Sequence, residues 1–393
     1  MKILIASDLH WPTINGVASF SRNLAQGLAA KGHEVVVIAP SQTGRGYEEY
    51  DKNHVVKRTM ALPFPFYQNF RISVTPQREV KKIIEDFDPD VIHIQSMLGI
   101  GRAALMTGKK HNIPVVATNH AMPENLIENM RLLAPFARPI NYILKNYGAR
   151  FHSNADYLTS PTQSAINLYK DDMKDVSIPV EAVSNGIDLS RFSPGEVSSE
   201  LRKKYGLPSE KTPIITYLGR LDSEKHLPVM LHAARRVFDE VDGHVLIVGH
   251  GNEAEYLKEL SKQLGIEKKV TFAGRVSDED VTKLQKVGSV FCMPSPAELQ
   301  CIACLEAMAS GSPIVVVKAG AVHELCDEGK NGFVCETDND ADMAEKIVAI
   351  LKDKKLQESM SKRSIEIAKT HDIQHTLARF EAIYQQLIDQ YGA

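Results

Sequence analysis

The stretch Cys292-Met-Pro-Ser-Pro-Ala-Glu298-Leu-Gln-Cys301-Ile-Ala-Cys-Leu-Glu306-Ala-Met-Ala-Ser-Gly311 constrains this chain more than any other. It follows a short apolar run, Val290–Met293, that reads as a buried strand. Pro294, Ser295 and Pro296 break the strand, and residues 299–310 have helical composition. Gly311 suits a left-handed cap at the helix end, and Pro313 discourages the helix from resuming. Strand, break and helix in this order make one βα unit, the building block of a parallel sheet covered by helices. Glu298 falls on the loop at the helix mouth and Glu306 one to two turns in. Two carboxylates beside free backbone N–H groups at such a crossing suit a ligand carrying both hydroxyls and phosphates. The plainer alternative is a turn with two solvated glutamates.

Similar units recur along the chain. Residues 2–7 read as a strand, followed by Asp8-Leu-His-Trp-Pro-Thr-Ile-Asn15-Gly16-Val-Ala-Ser and an amphipathic helix over 19–31 with Phe20, Leu24 and Leu28 on one face. Strand 34–38 completes a βαβ opening. Gly16 is the sole glycine of the first crossing, so the turn lacks the G-x-G-x-x-G dinucleotide fingerprint and a nicotinamide reading is weak. Without a Cβ, Gly16 lets a diphosphate approach the backbone, or it simply serves the turn. Val91–Ile94 and Val115–Thr118 are further strands, the second leading to Asn119-His120. A histidine there lies where open α/β sheets place ligands, or it is a hydrogen-bonded structural histidine. Ala182-Val-Ser-Asn-Gly186-Ile-Asp188-Leu-Ser-Arg-Phe192 closes the first half.

The second half restarts with strand Ile214–Leu218 and Gly219-Arg220-Leu-Asp-Ser-Glu224-Lys225-His226. Two cations five residues apart on a strand-to-helix turn can converge on one anion, Arg as a planar fork and Lys as a point charge. A solvated charged turn is the alternative. Strand 245–248 precedes Gly249-His-Gly251-Asn-Glu253, and strand 270–272 precedes Ala273-Gly274-Arg275-Val276. Ile314–Val317 is followed by Gly320-Ala-Val-His-Glu324. A last helix over 374–391 carries Leu377, Phe380, Ile383, Tyr384 and Leu387 on one stripe.

A chain of 393 residues exceeds one typical core, so two domains are expected. The composition, 43% hydrophobic and 24% charged, is that of a globular protein, and a net charge of -3 makes no case for nucleic-acid binding. Basic excess gathers in residues 101–150, with seven bases against Glu124 and Glu128. All five cysteines lie in the second half, and an odd number without a secretory signal argues for free thiols in a reducing compartment. Cys301 and Cys304 have C-x-x-C spacing, but no second Cys/His pair completes a zinc site. The N-terminus reads as a strand running into Asp8 rather than as a signal peptide, and no apolar run approaches the roughly 20 residues of a membrane span. The expected location is cytoplasmic, at most peripheral on the inner face of the plasma membrane.

Glu298 and Glu306 form an E-x7-E pair, Gly219 to Lys225 a G-R-L-x-x-x-K run, Asn15-Gly16-Val17 an N-G-V turn and Asn185 to Phe192 an N-G-I-D-x-x-x-F segment. Together, in this order and about one βα unit apart, they resemble the motifs of the retaining, nucleotide-sugar-dependent glycosyltransferases of family 4, over most of the chain. The resemblance implies an α/β GT-B fold: two Rossmann-like, doubly wound parallel-sheet domains facing across a cleft. Residues 1–192 would be the acceptor-side domain, 193–373 the nucleotide-sugar domain, and 374–393 a helix crossing back onto the first.

It also implies roles. Arg220 and Lys225 hold the diphosphate and offset charge on the departing nucleotide. Glu298 binds sugar hydroxyls, helped by backbone N–H groups near Cys301 and Ile302, and Glu306 accepts the ribose hydroxyls. His120 orients the sugar, while Gly16, Gly249, Arg275 and Val276 line the donor, and Asp8 and Asn15 lie on the acceptor side. The catalytic set is thus His120, Glu298, Arg220 and Lys225. In the family the anomeric centre is retained, no enzyme nucleophile is assigned, and the leaving phosphate takes the acceptor's proton on the same face. No metal or other cofactor is implied. Two departures stand out. Cys301 replaces the usual Gly, placing a side chain beside the diphosphate, and His226 replaces the usual Gly or Asn.

For the acceptor, residues 125–152 mix apolar side chains such as Ile127, Leu133, Phe136, Ile143 and Tyr147 with Arg131, Arg138, Lys145 and Arg150, broken by Pro135 and Pro139. Leu62-Pro-Phe-Pro-Phe-Tyr-Gln-Asn-Phe70 adds aromatics. Such composition suits binding in the plane of an anionic membrane, or a core-facing helix with basic trim. Lipid-glycosylating members, such as diacylglycerol glucosyltransferases and phosphatidylinositol mannosyltransferases, share the N-G-V turn and such a segment. The expected reaction therefore moves glucose or mannose, from UDP-glucose or GDP-mannose, to a membrane glycerolipid. The alternatives are a soluble sugar or glycan acceptor, a nucleotide-sugar 2-epimerase, a non-catalytic nucleotide-sugar-binding protein, and a peripheral membrane adaptor.

Overall fold

The computed structural model describes residues 1–13, 15–64, 70–120, 137–169 and 177–392. Residues 65–69 of the aromatic stretch and 125–136 of the basic segment lie outside the described residues. The chain divides into two compact units, Met1–Gly186 with Ile373–Ala393, and Ile187–Asp372. The division falls before the Phe192 chosen from sequence because Ile187 and Phe192 already bury their side chains in the second unit's core.

The first unit holds β1 (Lys2–Ala6), β2 (Glu34–Pro40), β3 (Tyr47–Asp51), β4 (His54–Thr59), β5 (Ala61–Pro63), β6 (Arg71–Ser73), β7 (Val91–Ile94), β8 (Val115–Thr118), β9 (Tyr157–Ser160) and β10 (Val180–Ala182). Its main sheet runs β10-β9-β8-β7-β1-β2-β4-β3, and β5 pairs with β6 apart from it. Only the edge strand β3 is antiparallel to its neighbour in the main sheet. The pleat sorts the core into two layers. Ile3 and Ile5 pack with Phe20, Leu24 and Leu28 of helix Gly16–Ala30 and with the last helix, Ile373–Gly392. Leu4 and Ala6 pack on the other face, with Val80 and Ile84 of helix Pro76–Phe87 and Ile100 and Ala103 of helix Gly99–Lys110.

Helix Gly16–Ala30 starts earlier than the apolar pattern suggested, because the Asn15 side chain accepts a hydrogen bond from the Ala18 amide at 2.8 Å and caps it. Pro139 does not break its segment either. It sits in the first turn of helix Ala137–His152, where a missing N–H costs nothing. The stripe on the last helix is buried as expected, and Tyr384 Oη there lies 2.6 Å from His93 Nδ1 on β7.

The second unit is a six-stranded parallel sheet, β11 (Ile214–Leu218), β12 (His244–Val248), β13 (Val270–Gly274), β14 (Val290–Met293), β15 (Ile314–Val317) and β16 (Gly332–Cys335), in the order β13-β12-β11-β14-β15-β16. The helix after β14 spans Ile302–Ala309, shorter than 299–310, because Cys301 stays extended and caps it. Among the described residues no helix is long and apolar enough to cross a membrane.

Candidate active site

In the second unit the chain fills the sheet outward in both directions from β11 and β14, which are neighbours. The loops leaving these two strands therefore diverge over a crevice at their carboxyl ends, the place where open α/β sheets bind ligands. Residues 219–226 leave β11 and residues 294–301 leave β14. Motifs far apart in sequence meet here: Lys225 Nζ lies 2.8 Å from Glu298 Oε1.

The Arg220 guanidinium is forked between Asp222 and Glu224, and its carbonyl accepts from the buried Tyr217 hydroxyl at 2.8 Å. Lys225 is also 3.2 Å from Glu224 Oε1. Burial disfavours its ammonium, but the carboxylates of Glu298 and Glu224 outweigh that and hold its pKa above the ordinary lysine value. Both cations are thus already paired. Glu224, only 1% exposed, anchors the pair. Sequence reasoning quoted Glu224 without assigning it to the site, although its position between Arg220 and Lys225 was the available signal. His226 adopts a left-handed conformation, φ 49° and ψ 32°. That explains why Gly or Asn is usual there, both being residues that enter this region cheaply.

Glycines fit the neighbouring loops to this turn. Gly249 has φ of 144°, and a Cβ on it would lie 1.8 Å from the Gly219 carbonyl oxygen. The Leu221 amide donates to the His250 carbonyl at 3.1 Å, and the Glu253 amide to the Leu221 carbonyl at 2.8 Å. On the other side, the Glu298 carbonyl accepts from the Ala321 amide at 2.7 Å. Gly320, with φ of 57°, could carry a Cβ only 2.6 Å from the Pro296 carbonyl oxygen. Arg275 is exposed beyond β13, and Val276 is partly buried against Leu246 and Val248.

Cys301 is buried, and its Sγ accepts from the Cys304 amide at 3.3 Å. It occupies one of the free N–H groups of helix Ile302–Ala309. The Cys304 thiol beside it and burial both push its pKa up. Cys301 therefore stays a neutral thiol and puts no negative charge at the helix mouth. Glu306 is partly buried on the same helix, 3.3 Å from Gln285 Nε2. Burial pushes its carboxyl up to about 7, against the pull of Gln285 and Arg191.

The remaining expected residues lie in the first unit. Asp8, after β1, is buried and accepts from the amides of Ile100 at 2.9 Å and Gly101 at 3.2 Å and from Ser96 Oγ at 2.6 Å. It caps helix Gly99–Lys110, as Asn15 caps its own helix, so both have structural duties. Burial raises the Asp8 pKa against those hydrogen bonds. Gly16 is exposed as the first residue of its helix, and among the described residues a Cβ there would meet nothing within 4 Å. His120 follows β8, with Nε2 2.8 Å from Gln95 Oε1 and its ring 5.0 Å from that of Phe20. Burial lowers its pKa to about 3, so the imidazole is neutral. It can give or take hydrogen bonds but carries no charge. Behind it a buried chain runs from Tyr384 through His93 to Thr118 and Thr159, which sequence reasoning did not single out.

Residues 14–191 match the family described as Glycosyltransferase Family 4, and residues 197–367 that described as Glycosyl transferases group 1. A GDP-mannose-dependent alpha-mannosyltransferase of Corynebacterium glutamicum is 28% identical, covering 86% of this chain and 77% of its own. An alpha-monoglucosyldiacylglycerol synthase of Streptococcus pneumoniae is 26% identical, covering 80% of this chain and 70% of its own. The solved structure of Anabaena HepE in complex with UDP-glucose superimposes with a TM-score of 0.75 at 18% identity, over 98% of this chain and all of that one. With two family matches laid end to end over most of its length, the chain belongs to the glycosyltransferases of GT-B fold, family 4 in its first half and group 1 in its second.

Proposed function

We propose that the protein transfers a hexose, glucose or mannose, from a nucleotide-diphosphate sugar to a hydroxyl of a membrane glycerolipid, with retention at the anomeric carbon. The observation that carries this reading is the meeting of Arg220, Lys225 and Glu298 at the switch point of the second sheet, with Glu306 one turn into the adjoining helix. A diphosphate would draw Arg220 and Lys225 from their carboxylates, and both would then stabilise charge on the leaving nucleotide. Freed from Lys225, Glu298 would take sugar hydroxyls, beside the backbone N–H of Ile302 at the helix start. Glu306, ionised above pH 7, would accept the ribose hydroxyls. The exposed Gly16 would let a diphosphate approach the backbone at its helix start, and His120, being neutral, would orient the sugar by hydrogen bonding rather than by protonation. Gly249, Arg275 and Val276 would line the nucleotide. Asp8 and Asn15 would hold the acceptor-side loop in shape.

The lipid acceptor is supported by the name of the streptococcal relative and by helix Ala137–His152, where Tyr142 and Ile143 are 72% and 64% exposed and the exposed, basic Arg150 follows about two turns later. Both would suit an enzyme working at an anionic membrane surface. The test is transfer of labelled sugar from UDP-glucose and GDP-mannose into organic-extractable lipid. Anionic vesicles would contain diacylglycerol or phosphatidylinositol, with Glu306→Ala and Lys225→Ala as controls. Label in the lipid phase, lost in both variants, is the expected result. Donor consumption without lipid label would replace the lipid by a soluble acceptor. Nucleotide binding without any consumption would point to a non-catalytic binding protein.

A further inference from the structure

A second cluster of chemistry-bearing side chains lies in the first unit and includes none of the residues given a role above. Asp51 is the last residue of β3 and His54 the first of β4, and they are direct partners across the antiparallel pair. Only Lys52 and Asn53 separate them, and Lys52 makes the tight turn with φ of 58°. Residues paired in this way point to the same face, with Cβ atoms about 5 Å apart, a span that suits two ligands of one ion. His10, on the loop after β1, brings a third group. One ligand atom from each of His10, Asp51 and His54 lies within 4.8 Å of the others.

The histidines are placed as ligands rather than as members of a hydrogen-bonded core. His10 is 2% exposed and His54 3% exposed. Among the described residues neither ring nitrogen of His54 has a hydrogen-bond partner, and His10 Nε2 has none either. Buried polar atoms are rarely left so, because each loses its water and gains nothing in return. His10 Nδ1 is near Ser21 Oγ at 3.2 Å, which leaves Nε2 as the coordinating atom. The Asp51 carboxylate is oriented from behind by Arg22, 2.7 Å from Nε, and by Gln26 Nε2 at 3.2 Å. A ligating carboxylate usually has such support, and its remaining lone pairs stay available. Of the two arginines nearby, Arg22 is paired with Asp51 and Arg58 with Glu49. Both arginines thus face a carboxylate, which offsets their repulsion of a cation; Lys52 of the turn is the remaining positive neighbour among the described residues.

We propose that His10, Asp51 and His54 form a binding site for one divalent ion of the zinc class, which pins the β3–β4 turn to the loop after β1. Two imidazoles and one carboxylate favour borderline ions such as zinc, whereas calcium and magnesium seek all-oxygen sets. None of its residues belongs to the donor set, and the proposal does not rest on the transferase reading.

The experiment uses the tag-free full chain, stripped with a chelator and titrated with cobalt(II), then with zinc in competition with a chromophoric chelator. One equivalent should bind, with the intense d–d absorption of a low-coordinate cobalt site and no thiolate charge-transfer band. The zinc-bound chain should melt at a higher temperature than the stripped one. His54→Gln, His10→Gln and Asp51→Asn should each weaken binding at least tenfold and remove that melting shift. Absence of a stoichiometric site in the wild-type chain would overturn the proposal. So would binding that all three variants retain, which would place the ion on other residues, or a thiolate band, which would place it on the cysteines. Should the variants fail to fold, the wild-type cobalt spectrum and melting shift alone decide in the same way.

Discussion

At the scale of single residues, Glu306 shows a site charge whose effects on stability and on binding run in opposite directions with pH. Its carboxyl ordinarily titrates near 4.5, and burial raises it to about 7 in the fold. Between those values the folded chain holds a proton that the unfolded chain has released. The stability linked to Glu306 is therefore complete below the ordinary carboxylate range and is lost as pH rises through 7. Glu306→Gln should recover up to about 3 kcal/mol at pH 8 and almost nothing at pH 4, read from urea denaturation. Donor affinity should run the other way. The wild-type KM for nucleotide-sugar should fall between pH 6 and pH 8 as the carboxylate forms, and the glutamine variant should have a high, pH-flat KM. A variant no more stable than wild type at pH 8 would mean that Glu306 is better solvated than its position implies.

At the scale of elements, the site is held by loops that touch through glycines. Gly320 backs the loop carrying Glu298, and its φ of 57° and the closeness of the Pro296 carbonyl leave no room for a methyl group. Gly320→Ala should push Glu298 away from Lys225 and lower kcat at least tenfold, at a stability cost of about 2 kcal/mol. Gly16→Ala is the contrasting case, since a Cβ there meets nothing within 4 Å among the described residues. It should leave the melting temperature nearly unchanged and raise only the donor KM. If both variants lose stability without any change in KM or kcat, the glycines serve the fold alone.

For the whole molecule, the last helix decides what can fold by itself. Leu377, Phe380, Ile383, Tyr384 and Leu387 are buried in the first unit's core beside Ile3, Phe20 and Leu24. Losing side chains of this size costs about 2–5 kcal/mol each, against a typical domain stability of about 5–15 kcal/mol. A chain ending at Asp372 should therefore lose the cooperative unfolding of its first unit. A fragment of residues 187–372 should fold and still bind UDP or GDP by calorimetry, because Arg220, Lys225, Gly249, Glu298 and Glu306 all lie within it. A folded fragment that binds neither nucleotide would show that the first unit supplies essential contacts.

The strands were legible in the amino-acid sequence because parallel strands buried on both faces leave continuous apolar runs. Val91–Ile94, Val115–Thr118, Ile214–Leu218, Val290–Met293 and Ile314–Val317 form where those runs stand. Helix starts were less legible, since Asn15 and Cys301 act through side-chain hydrogen bonds rather than through apolar periodicity. The motif residues and their family were recognisable from local order, because each motif is a short continuous segment, in most cases one strand-to-helix turn. Their charge state was not. That Lys225 is shared with Glu298, that Glu306 titrates near 7, and that His120 is neutral follow from burial and from neighbours distant in sequence. The His10, Asp51 and His54 cluster likewise needed the pairing of β3 with β4 and the return of the loop after β1. Residue order along the chain specifies the elements through short-range sterics and periodic burial, whereas proximity between distant side chains, and the electrostatics it sets, exist only once the sheets are assembled.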